Sequence, residues 1–92
     1  MKTVWKFPFE MTDTVRIMMP AGAQLLHLET QHGVPCLWAL VDPESEKVRR
    51  KFRLAGTGHP LPDDIGRHLG SFQLLEGNLV FHLFEEANET AD

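Results

Sequence analysis

The chain has 92 residues and a mass of 10.5 kDa, room for one domain around one hydrophobic core. With 42% hydrophobic and 24% charged residues it is composed like a globular protein, which argues against disorder. No apolar run reaches the roughly 20 residues that cross a bilayer, and a net charge of −4 argues against general duplex binding, whose affinity comes from Lys and Arg neutralising phosphates.

In chain order, Trp5, Phe7 and Phe9 alternate with Lys6 and Pro8, the two-residue repeat of a strand. Pro8 lacks an N–H, so this strand is expected at a sheet edge. Val15, Ile17 and Met19 alternate with Arg16 and Met18 in a second strand that Pro20-Ala21-Gly22 ends. A third strand is read from Leu26, Leu28 and Thr30 against Leu25, His27 and Glu29. His32-Gly33 has the spacing of a hairpin turn leading into Pro35–Val41, a fourth strand that is apolar on both faces and therefore central. Trp38 is expected in the core and Trp5 at a half-exposed edge or subunit contact.

Asp42-Pro43-Glu44-Ser45 has turn chemistry. Beyond it Val48, Arg50, Phe52 and Leu54 alternate with Arg49, Lys51 and Arg53, so one face of a fifth strand is strongly cationic. The loop Ala55–Pro62 contains two glycines and two prolines. Asp63–His68 is read as at most one short helical turn capped by Asp63 and limited by Gly66. Ser71–Leu75 and Leu79–Phe84, joined by Glu76-Gly77-Asn78, form a sixth and a seventh strand as a hairpin. The predicted fold is mainly β: a small antiparallel sandwich or curled sheet of about seven short strands, with one domain over residues 1–86 and a polar, disordered tail over 87–92.

The N-terminus has no continuous apolar segment followed by a cleavage site, and Cys36 is the lone cysteine. Both features lead to the expectation of a cytoplasmic protein, with Cys36 as a small buried apolar residue. The histidines at 27, 32, 59, 68 and 82 fall at no recognised ligand spacing, so no metal or other cofactor is expected. His82, in an apolar strand, is expected to be a satisfied core or interface residue. Ser71 lacks a nucleophile elbow and no coherent triad is present, so the chain is expected not to be an enzyme.

Closely spaced glycines let backbone N–H groups approach an anion. Gly56, Thr57, Gly58 and His59, with Arg49, Arg50, Lys51 and Arg53 on the strand leading into them, therefore form the candidate ligand site. Trp5 is added as a surface on which a base could stack. Replacing Arg50 or His59 by alanine is expected to abolish binding and leave the fold intact. Apolar strands such as Leu37–Val41 and Leu79–Phe84 exceed what a monomer of this size covers easily, which predicts a homo-oligomer.

The motifs Gly33–Pro43, Phe52, Gly56–Pro60, Gly70-Ser71-Phe72 and Leu79–Glu85 together resemble a family of small proteins encoded by bacteriophages and prophages. The resemblance covers residues 1–86 and implies a phage accessory protein that counters host defence. One route is sequestration of a nucleotide-derived, phosphate-bearing immune signal. The alternative is an anti-CRISPR-like inhibitor, acting by protein contact through acids such as Asp63, Asp64, Glu85 and Glu86. A virion structural or assembly role is a weaker third reading.

Overall fold

The computed structural model describes residues 1–87; the expected polar tail, apart from Ala87, lies outside them. The described chain is all strand and turn: β1 (Thr3–Pro8), β2 (Thr14–Pro20), β3 (Gln24–Gln31), β4 (Val34–Val41), β5 (Lys47–Gly56), β6 (Arg67–Leu74) and β7 (Leu79–Glu85). They form two packed antiparallel sheets, ordered β1-β4-β3 and β2-β5-β7-β6. The predicted mainly β sandwich of seven strands is what the chain adopts. Residues 63–68 hold no helix: Ile65 N–H donates to Pro62 O and closes a single four-residue turn, and Arg67 and His68 already belong to β6.

Alternation explains most of the core. Val15, Ile17 and Met19 of β2 face inward in register with Phe52, Arg50 and Val48 of β5. Leu37, Ala39 and Val41 of β4 face them from the other sheet, and Phe9, Ala23, Leu54, Phe72 and Leu83 complete the cluster. Phe52, Met19 and Leu83 are fully buried, and each such side chain contributes roughly 1.5–3 kcal/mol of burial free energy. β1 is an edge strand, as Pro8 predicts, and β4 is central. Trp38, by contrast, is not a core residue. Pairing with Lys6 and His27 puts it on the outer face of the three-stranded sheet, its ring 5.8 Å from that of His27, because Leu37 and Ala39 take the inward positions.

Two hairpins behave differently. His32 (φ 52°) and Gly33 (φ 80°) make the two-residue turn between β3 and β4, with both central residues in the left-handed region. Between β6 and β7 the turn starts one residue earlier than predicted, at Leu75, with Leu75, Glu76 and Gly77 all at positive φ. The alternation in β3 also breaks at a bulge: Leu25 pairs with Ala39 and His27 with Trp38, leaving Leu26 as the extra residue.

The connection from β5 to β6 matters most for function. Both strands are antiparallel to β7 and flank it, so they are parallel to each other and residues 57–66 must cross β7. The inner side is occupied by the core, and the crossing runs over the outer side of the sheet. Its far end lies against the end of β7, where Gly66 comes so close to the Glu85 carbonyl that a Cβ there would overlap it.

Candidate functional site

β5 divides its charges between two faces. Arg49, Lys51 and Arg53 lie on the outer face of the four-stranded sheet, opposite Met18, Arg16 and Thr14 of β2. Arg50 points the other way. Its Nε and Nη2 donate to Glu85 Oε2 and Oε1 at 2.7 and 2.8 Å, and Nη1 donates to Ala23 O at 2.7 Å. Both partners of this bidentate pair are largely buried, at 16% and 17% side-chain exposure. The guanidinium therefore ties β5 to β7 and to the residue before β3, with its donors spent on the protein itself. Arg50 is a fold residue in this geometry, and the expectation that its removal spares the fold does not follow from it.

The glycine loop is also largely self-satisfied. His59 N–H donates to Gly56 O at 3.0 Å, and Gly58 takes φ 89° at the third position of that turn. This is the turn chemistry in which only glycine is comfortable. Thr57 N–H donates to Val80 O at 3.2 Å, so the amides of Thr57 and His59 are not aimed at a ligand. The His59 ring folds back over Gly56, where a Cβ would lie 3.1 Å from its Cε1. What the loop does present is side chain. His59, Pro60 and Leu61 line a cleft of about 230 Å³ with Asp13, Ala55 and Arg53.

Arg53 and His59 thus meet in one cleft, where a cation of the predicted site joins the loop residues. Arg53 Nε lies 3.5 Å from Glu86 Oε1; both atoms are buried, and neither makes a hydrogen bond. Lys51 Nζ stands 4.0 Å from the same carboxylate oxygen. Gly56, Thr57 and His59 also border a second, more apolar hollow with Leu79, Val80 and Phe81. Trp5 is elsewhere, on the other sheet, half-buried beside Phe7 with Lys47 Nζ 5.8 Å over its ring.

A polar chain on the same outer face is not evident in the sequence. His82 Nε2 shares a hydrogen bond with Thr57 Oγ1 and His82 Nδ1 shares one with Ser71 Oγ, both at 2.7 Å. His68 Nε2 stands 3.4 Å from the same Ser71 oxygen, and the His68 ring packs 5.2 Å from that of Phe84. When the imidazole is neutral, one ring nitrogen donates and the other accepts, and the two hydroxyls then take opposite roles. The signal that could have found this chain is the hairpin register, which sets Ser71 directly across from His82.

Across its full length, residues 1–92, the chain matches the model of a family described as a domain of unknown function, DUF7352, and it belongs to that family. No curated protein and no solved structure matches it.

Proposed function

Starting from a family of unknown function, we propose that this member is a non-catalytic binding protein whose site is the outer face of the four-stranded sheet beneath the 57–66 crossing. Its ligand is a phosphate-bearing, nucleotide-like small molecule. The observation that carries this reading is the shared cleft of Arg53 and His59. A guanidinium meets phosphate oxygens bidentately, and a histidine ring adds a donor or a stacking face. At about 230 Å³ the cleft suits one phosphate group or a sugar rather than a whole nucleotide. The remainder would lie toward Lys51 and Arg49, the next cations on the same face of β5. Asp13 at the rim disfavours a bare anion and suits a ligand that also offers hydroxyl or amino donors. In the phage setting that the motifs imply, the protein would act by sequestering a nucleotide-derived immune signal.

The inhibitor reading finds less support, because two of its four acids are occupied: Glu85 by Arg50, and Glu86 beside Arg53 and Lys51. The test is a thermal-shift panel of cyclic dinucleotides, cyclic trinucleotides and cyclic ADP-ribose isomers. At about 100 µM, a ligand with a Kd of about 1 µM stabilises the fold by about 2.7 kcal/mol. A rise in Tm that Arg53→Ala and His59→Ala both remove is the expected result. No shift with any nucleotide, or an unchanged shift in both variants, would overturn the proposal.

A further inference from the structure

On the opposite flank of the sandwich the two sheets meet edge to edge, β3 beside β6. At one end they are stitched by Thr30 Oγ1, which donates to Gln73 O at 3.4 Å. At the other end each strand carries a β-bulge: Leu26 is the extra residue in β3, and Leu69, between His68 and Gly70, is the extra residue in β6. Facing bulges stop the two edges from zipping together, and bulges on edge strands are a recurrent means of opening a sheet beside a site. The gap is a cleft of about 220 Å³. Its floor is apolar, made by Leu25, Leu28 and Leu69 with the fully buried Leu37 beneath them.

The mouth carries one fixed cation, Arg67 on the β6 side, with His68 beside it and His27 on the β3 side. His27 Nε2 is already engaged, 2.6 Å from Glu29 Oε1, and His68 Nε2 stands 3.4 Å from Ser71 Oγ. Arg67 is exposed, and no ion pair engages it among the described residues. We infer that this cleft is a second binding site, separate from the outer-face site, that takes a small amphipathic carboxylate: an apolar body on the leucine floor and an anionic head on Arg67. Size sets the class of ligand. An apolar cavity of about 150 Å³ accepts a benzene ring, so this one accommodates a single ring or a short acyl chain and its carboxylate. A half-buried leucine floor with one charged group at the rim orients such a ligand in one direction only.

The probe is phenylacetate, compared with 2-phenylacetamide and 2-phenylethylamine, which keep the ring and change the head. In a ¹H–¹⁵N NMR titration at about 5 mM, enough to fill a site with a Kd of about 1 mM, phenylacetate shifts the amides of residues 25–28 and 67–69. The amide analogue and the Arg67→Gln variant each bind about tenfold more weakly or worse, as expected for the loss of a charge-assisted contact. Leu69→Trp fills the cleft and abolishes the shifts; should that variant fail to fold, Arg67→Gln alone decides. Equal binding of the amine, shifts confined to other residues, or no shift at all would overturn the inference. Nucleotide binding at the outer face is read separately in the same spectra, so either site can fail without the other.

Discussion

Arg50 and Arg53 stand on the same strand with one apolar and one basic residue between them, and the fold assigns them opposite duties. Arg50 is on the inward row with Val48 and Phe52, its guanidinium spent on Glu85 and Ala23 O. Arg53 is on the outward row, in a cleft with His59, and its Nε faces Glu86 without a hydrogen bond. Strand parity decides the difference. In a run such as Arg49-Arg50-Lys51-Phe52-Arg53, charge counts make every cation look like surface, but the period of two sends one of them into the packing layer. That cation must then bring its own carboxylate, because a buried charge without a partner is expensive.

The sharpest way to break the comparison is Arg50→Met. Removing one member of a largely buried, bidentate pair leaves Glu85 uncompensated, at a cost of about 3–5 kcal/mol. For a domain this small that is a Tm loss of more than about 10 °C. Replacing both partners, Arg50→Met with Glu85→Leu, restores most of the stability, since two apolar side chains have no desolvation debt. A single variant that melts with the wild type in a thermal unfolding scan would return Arg50 to the surface class.

A smaller effect separates the crossing from the sheet it covers. Gly66 is held against the end of β7, and Gly66→Ala must push the crossing off the Glu85 carbonyl. The expected cost is about 1–3 kcal/mol, the range for overpacked sites. Because the displaced segment carries His59, Pro60 and Leu61, ligand binding at the Arg53 cleft should weaken as well. A variant that loses stability yet keeps full nucleotide binding would show that the crossing plays no part in the site.

How far the sequence discloses this arrangement depends on what each signal measures. Period-two alternation identified β1, β2, β3 and β5, because burial on a pleated surface is the force that alternation records. Pro8 put β1 at an edge, apolar residues on both faces put β4 in the centre, and turn chemistry set off β6 and β7. Alternation failed where an extra residue shifts the phase. Leu26 and Leu69 are ordinary apolar residues, and nothing local marks them as bulges. Leu75 opens the β6–β7 turn at φ 50°, a conformation that an unbranched polar residue or glycine would have announced and a leucine conceals. Starting the turn one residue later sets Ser71 across from Leu83 instead of His82, and the polar chain disappears from view. The candidate cleft was legible in its parts, Arg53 and His59, but their meeting depends on a ten-residue segment crossing β7, which no local pattern encodes.

The smallest effect tests the outward half of the comparison. Arg53→Ala removes a side chain that is 31% exposed and that faces Glu86 without a hydrogen bond, while Lys51 remains 4.0 Å from the same carboxylate. Partly exposed pairs of this kind contribute about 1 kcal/mol or less. Arg53→Ala should therefore melt within about 1 kcal/mol of the wild type, and a double-mutant cycle with Glu86→Gln should show a coupling of similar or smaller size. A stability loss that matches Arg50→Met would make Arg53 a second clamp of the fold and remove the reason to read its cleft as a site. A near-neutral variant that has lost nucleotide binding would separate the two arginines by function as cleanly as the pleat separates them in space.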